Sequence, residues 1–284
     1  MILAPLRGVT VRCFRRTFAA ALAECGFTEA VAPFLPANAG FDPLRDRELR
    51  GGEPLPLTPQ FIGKDPAALR SCLARLKDAG FATADLNAGC PFPMVRGKGR
   101  GSGLLRTPGV LGRMLEAGCE TMGDGRFSLK ARLGVDGPDE LLGLMPLING
   151  FPLRRLVVHA RTARQMYGGE CDIAAFGRVA AAARVPVVYN GDVPLPPTAG
   201  AFPGGVMVGR GFVRALGLRD DIGELLGRYI AASEEELFGE RPVLGRIKEL
   251  VAYWKDLPRW RRRWQVVKIA RSLDELRAAL AAGE

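Results

Sequence analysis

The chain has 284 residues, 48% of them apolar and 25% charged, an ordinary composition for one large globular domain plus a small one. Lys and Arg exceed Asp and Glu by ten, which suits a polyanionic partner, nucleic acid first. A single histidine, six scattered cysteines with no Cys-x-x-Cys pair, and no run of about twenty apolar residues argue against metal and iron–sulfur sites, a disulfide framework and a membrane helix. No basic stretch precedes a long apolar core at the N-terminus, so no leader peptide is expected, and a reducing, cytoplasmic setting fits. In chain order, residues 1–5 read as an apolar strand, and 9–25 as a helix with Thr10 as its cap. Strand 29–36 is followed by a polar loop over 37–55 and by strand 57–63. Asp65-Pro66 then caps a helix to about residue 79. Further strands are expected at 82–87, 127–132, 155–161, 185–190 and 205–208. Helices are expected at 108–122, 139–148 and 173–183.

Eight apolar strands alternating with helices predict an α/β fold, a (β/α)8 TIM barrel built of right-handed crossovers. Polar residues recur at the strand ends: Gln60, Asn87, Lys130, Arg132, His159, Arg161, Asn190 and Arg210. In a closed barrel these converge on one face, whereas an open sheet would string them too far apart for one ligand. Four prolines between residues 193 and 204 predict that the seventh barrel helix is missing or reduced to a turn. Past residue 218 the pattern becomes wholly helical. The chain therefore divides into a barrel domain, 1–218, and a small helical domain, 219–284. Between Arg241 and Arg271 stand ten Lys and Arg against two acids, a net of +8.

The stretch Asp85-Leu86-Asn87-Ala88-Gly89-Cys90-Pro91 reads as a buried strand that delivers one thiol to the mouth of a glycine-rich basic loop. Alone, Cys90 is more often a small buried hydrophobe than a catalyst. Gly209-Arg210-Gly211 with Asn190-Gly191-Asp192 lies where this fold tends to hold a phosphate. Lys130, buried on a strand, needs an acceptor, either the polar edge of a ring cofactor or a barrel acid. Gln60 can meet a ring edge with donor and acceptor together. His159, the single histidine, reads more readily as a hydrogen-bonded core residue than as a ligand. No Walker loop is present, and Ser102 lacks a base.

These motifs together resemble the tRNA-dihydrouridine synthases. The matching stretches are residues 3–10 with Phe14-Arg15; 60–66; 85–91 with 99–102; 130–134; 158–162; 190–192; and 207–211. The tail resembles that family's RNA-recognition domain, most like the bacterial subfamily acting on uridine 16. The resemblance implies FMN as cofactor, NADPH as reductant, and a uridine of the tRNA D-loop as substrate. Hydride passes from the flavin to C6, and Cys90 protonates C5. Carried over by position, Pro5, Leu6, Arg7, Gln60, Lys130, His159, Asn190, Gly191, Asp192, Gly209 and Arg210 hold the cofactor. Leu6 stands where the family usually has Met. Asn87 and Arg161 face the uracil. Arg96, Lys98, Arg100, Lys255, Arg259, Arg261, Arg262, Arg263 and Lys268, together with Trp254, meet RNA. The glycine-rich loop serves as a mobile cover. A thiol acid should also avoid close cations. No metal or membrane is implied, and a monomer is expected. Two other readings stay open: a tRNA-binding protein of this fold with weakened or lost flavin chemistry, and an FMN barrel that reduces a free pyrimidine.

Overall fold

The computed structural model describes residues 1–197, 200 and 202–281. Ten strand segments are β1 (Ile2–Leu3), β2 (Glu29–Val31), β3 (Leu35–Pro36), β4 (Leu57–Thr58), β5 (Gln60–Ile62), β6 (Ala84–Ala88), β7 (Phe127–Gly134), β8 (Arg155–Thr162), β9 (Val187–Asn190) and β10 (Val206–Val208). All pair in parallel, in the order β3-β5-β6-β7-β8-β9-β10-β1-β2-β4. Proline explains why ten segments make eight barrel strands. Pro33 interrupts the second strand and Pro59 the third, because neither can donate to a ladder. β2 pairs with β4 below the breaks and β3 with β5 above them, so the ring closes. Ile2, Ala4, Val31, Val157, Val188 and Met207 fill its interior.

The helices of the barrel are α1 (Arg12–Thr17), α2 (Ala19–Glu24), α3 (Pro66–Asp78), α4 (Pro93–Arg96), α5 (Pro108–Met122), α6 (Glu140–Ile148), α7 (Ile173–Ala182) and α8 (Arg210–Leu216). Asp65 caps α3 as its sequence predicts, accepting from Ala67 N at 2.9 Å and Ala68 N at 3.3 Å. The helix expected over 9–25 is instead two short ones broken at Phe18, and Thr10 is not its cap. The Thr10 hydroxyl accepts from Leu6 N at 2.8 Å and donates to Ala4 O at 2.9 Å, which fixes the turn after β1. The long 37–55 loop is tied down by Arg15. Its buried guanidinium donates to Glu53 at 2.6 Å and 2.7 Å and to Glu48 at 3.1 Å. Among the described residues of the segment 191–205 no helix forms; residues 198, 199 and 201 of that expectation lie outside the described set.

The tail consists of α9 (Ile222–Glu236), α10 (Glu240–Val251), a 3-10 turn at Ala252–Trp254, α11 (Pro258–Val267) and α12 (Leu273–Ala281). Two tryptophans fasten it to the barrel. Trp254 Nε1 donates to Val213 O at 2.6 Å and Trp260 Nε1 to Gly217 O at 2.7 Å, both rings being fully buried. A Cβ on Gly217 would stand 2.5 Å from the Trp254 ring, so only glycine admits this approach. Trp254 is therefore a domain pin rather than a platform for bases. Arg259 donates to Arg219 O at 3.0 Å, and Arg263 lies over the Trp260 ring at 5.1 Å. Both are engaged within the protein, while Lys255, Arg261, Arg262 and Lys268 are exposed or partly so.

Candidate active site

A cavity of about 390 Å³ opens at the C-terminal ends of the barrel strands, within the usual range for a small-molecule or cofactor site. Cys90 lines it, and the backbone around Cys90 is held from both sides. From below, Asn87 Oδ1 accepts from Gly89 N at 3.1 Å and Cys90 N at 2.9 Å. Asn87 Nδ2 donates to Gln60 Oε1 at 2.8 Å, and Gln60 Nε2 donates to Asp85 Oδ1 at 2.7 Å. From above, Ser102 donates to Cys90 O through its N–H at 3.1 Å and its hydroxyl at 2.9 Å. Gly101, at φ +56, brings the loop back; a Cβ there would stand 2.8 Å from Cys90 Cβ. The second part of the glycine-rich stretch is thus a buried bracket on Cys90: Gly101–Arg106 is a 3-10 turn whose first five residues are buried, whereas residues 97–100 before it are exposed or half-buried.

Burial pushes the Cys90 thiol up. The Phe92 N–H, Arg132 and Arg7 pull the other way without reversing it. Cations do stand near Cys90, contrary to expectation, yet the thiol stays protonated at neutral pH. Burial, then Arg132, lowers Lys130 to about 8, with Asp85 opposing; it remains a cation at pH 7. Its partner is the Asn190 amide, Nζ to Oδ1 at 2.8 Å, and not a barrel acid. Burial and the surrounding Arg132, Lys130, Arg161 and Arg210 hold His159 well below its ordinary value, so the ring is neutral.

Pro5, Leu6, Arg7, Lys130, His159 and Asn190 line the cavity, as do Gly191, Gly209 and Arg210, together with Asn87 and Cys90. Gln60 does not: it is fully buried behind the wall, with both ends of its amide engaged. Asp192 stands outside this cavity, in an adjoining groove that Lys255 also lines; it pairs with Arg161 and with Arg210, the latter at 2.8 Å. Arg161, expected to face the uracil, does not line this cavity. Its guanidinium is spent on Gly168 O, Gly169 O, Cys171 Sγ and Asp192. Arg132 does stand on the cavity wall, donating to Gly89 O at 2.9 Å and Thr162 O at 2.8 Å. Arg96, Lys98 and Arg100 lie on the rim loop outside the cavity, with Arg100 bonded to Asn38 at 3.2 Å. Sequence reasoning missed Tyr167, whose ring has the Arg132 and Arg210 guanidinia 5.3 Å from its centroid. It also missed Glu249 and Tyr253, which the tail contributes to the cavity. Arg132 was legible as the residue two beyond Lys130 on one strand face; Tyr167 sits in an irregular loop with no periodic signal.

The FMN implied by the resemblance fits the residues present. Lys130 is a half-buried cation with only an amide acceptor among the described residues, and an anionic ring edge would complete it. Gly191 and Gly209 are glycines at close approaches: Cβ atoms there would meet Tyr189 Oη at 2.4 Å and Ala4 Cβ at 3.1 Å. Arg210 beside them supplies a fork for a phosphate. Among the described residues no group of three His, Cys, Asp or Glu could hold a metal ion, and no helix is long and apolar enough to cross a membrane.

Fold and cavity together define a (β/α)8 barrel whose mouth sets a cavity lined by Lys130, Arg132 and Arg210 beside a protonated thiol. The sequence model of dihydrouridine synthase (Dus) matches residues 2–219, and the chain belongs to that family. A probable tRNA-dihydrouridine synthase of Rhodobacter capsulatus is 35% identical over 222 residues, covering 74% of this chain and 67% of that one. tRNA-dihydrouridine synthase B of Pseudomonas aeruginosa is 31% identical over 200 residues, 69% of this chain; the match spans 59% of that relative's length. Among solved structures, the old yellow enzyme homologue from Zymomonas mobilis aligns with a TM-score of 0.56 at 10% identity, covering 75% of this chain and 85% of that one. TcOYE with pHBA aligns at 0.53 and 11% identity over 91% and 95%. These two likenesses concern the fold alone.

Proposed function

We propose that the chain reduces a uridine of the tRNA D-loop to 5,6-dihydrouridine, uridine 16 by the likeness of its tail. It would act as a cytoplasmic monomer with FMN as cofactor and NADPH as reductant. The observation that carries this reading is a buried, protonated Cys90 with its backbone fixed on two sides, facing a cavity whose half-buried cation, Lys130, has an amide as its side-chain acceptor among the described residues. Lys130, Asn190, Gly191, Gly209 and Arg210 hold the flavin, with Pro5 and Leu6 as an apolar floor. Bound FMN supplies the hydride for C6.

Cys90 holds the proton for C5. Its raised pKa keeps that proton on sulfur at neutral pH, which a general acid requires. Arg132 and the spare N–H of Asn87 meet the uracil carbonyls, and the Tyr167 ring walls the pocket. A base reaches this depth only by leaving its stack, which a loop makes cheaper than a duplex. Exposed Lys255, Arg261 and Lys268, with Arg262, neutralise phosphates. The test is a map of dihydrouridine in tRNA from cells lacking this chain. Loss at one D-loop position, restored by the gene, supports the reading; an unchanged map contradicts it. A yellow purified protein with an FMN spectrum sets it apart from a tRNA binder without flavin chemistry.

A further inference from the structure

Two apolar side chains stand unburied at the rim of the cavity. Phe92 is 48% exposed and lines the mouth, and Met94 is 84% exposed. Both follow Cys90 by only a few residues, and neither is needed to cover a core. Their exposure is fixed by the backbone. Pro91 and Pro93 flank Phe92, and the turn closes on its carbonyl, which accepts from Val95 N and Arg96 N at 2.9 Å each. Arg96 O packs so tightly on Gly103 that a Cβ there would stand 2.5 Å away. The next turn is bonded in turn to Cys90 through Ser102. The backbone of Phe92 and Met94 therefore keeps a set position relative to the thiol, with Phe92 half-exposed and Met94 largely exposed. Cations follow at once: Arg96, Lys98 and Arg100 stand on the same loop.

We infer that Phe92, with Met94 beside it, is a wedge that fills the gap left in the RNA stack when the target base swings toward Cys90. The inference rests on the proposed reading of RNA as substrate. An everted base leaves its two neighbours with an unstacked face each. A rigid aromatic ring at the pocket mouth restores that contact, and base–aromatic stacking is sequence-tolerant because every base has a π-face. The neighbouring cations suit the phosphates on either side of the gap. A thioether beside the ring adds a polarisable, adaptable surface.

The test uses the FMN-loaded full chain, Phe92→Ala, Phe92→Trp, Met94→Ala and the double Ala variant. Two tRNA transcripts serve as ligands, one unmodified and one with an abasic site at the target position. Phe92→Ala should bind the unmodified transcript about tenfold more weakly, the double variant about a hundredfold, and Phe92→Trp like the parent. FMN content and NADPH oxidation by oxygen should not change, which excludes misfolding as the cause. The loss should persist on the abasic transcript, because the gap is there whether or not a base is captured. A loss that vanishes on the abasic transcript overturns the wedge and makes Phe92 a platform for the captured base. Unchanged binding, with or without a shift in oligomeric state, also overturns it while leaving the substrate reading intact if the parent makes dihydrouridine. A parent chain that neither binds nor reduces any tRNA removes both.

Discussion

Asp85 is the anchor of the hydrogen-bond chain that fixes Cys90, and Asp85→Asn tests whether that anchor is neutral. The residue is fully buried; its Oδ1 accepts from Gln60, while Oδ2 has no partner among the described residues. Burial raises its pKa from 3.8 to about 7, against the Gln60 bond, Arg155 and Lys130. The folded state therefore holds this proton more tightly than the unfolded chain. The stability this confers is complete below the unfolded value and is lost as pH rises through about 7. A folded-state pKa that stands one pH unit above the unfolded value corresponds to about 1.4 kcal/mol. The parent should accordingly lose about 3 kcal/mol from this group between pH 5 and pH 8. Asparagine keeps the acceptor for Gln60 and does not titrate. Urea unfolding of both proteins at the two pH values gives the readout. The stability of Asp85→Asn relative to the parent should rise by about 3 kcal/mol from pH 5 to pH 8. A difference that stays flat with pH refutes a neutral anchor.

Gly101→Ala places a side chain at φ +56 against Cys90; stability should fall by about 2 kcal/mol and dihydrouridine formation with it, while FMN content survives, measured by urea unfolding and flavin absorbance. Because burial pushes the Cys90 thiol up, the tRNA step should keep its rate into the pH range where an ordinary thiol ionises, and fall only above it; a single-turnover pH profile that declines from pH 7 contradicts this. Neutralising Arg261 and Arg262 on the tail should weaken tRNA binding and flatten its salt dependence. A titration in rising salt should show a slope shallower by about 0.9 or less for each phosphate that is no longer neutralised.

The barrel was legible because its strands are apolar runs bounded by turn residues, and because polar residues sit at their C-terminal ends. Its irregularities were not. Pro33 and Pro59 break two strands in a way that only the neighbouring ladders resolve. Depth was equally hidden. Arg132 and Arg161 occupy similar positions at adjacent strand ends, yet one lines the cavity and the other is consumed by loop carbonyls and Asp192. Gln60 reads as a ring-facing amide but serves as a strut, because Asp85 and Asn87 flank it on the next strand. A glycine-rich loop can be a lid or a tight return, and only the approach of Gly101 to Cys90 decides between them. Trp254 and Trp260 sit in an arginine-rich tail, which suggests RNA, whereas their indole N–H groups are bonded to carbonyls of α8 and its C-terminal end.

The central claim is that Cys90 is the proton donor to a tRNA uridine. Cys90→Ala, loaded with FMN and mixed with NADPH and unmodified tRNA, tests it in one reaction. NADPH oxidation by oxygen should continue at the parent rate, while dihydrouridine per tRNA, read by mass spectrometry, should form about a hundredfold or more slowly. Equal dihydrouridine formation by the variant would contradict the account.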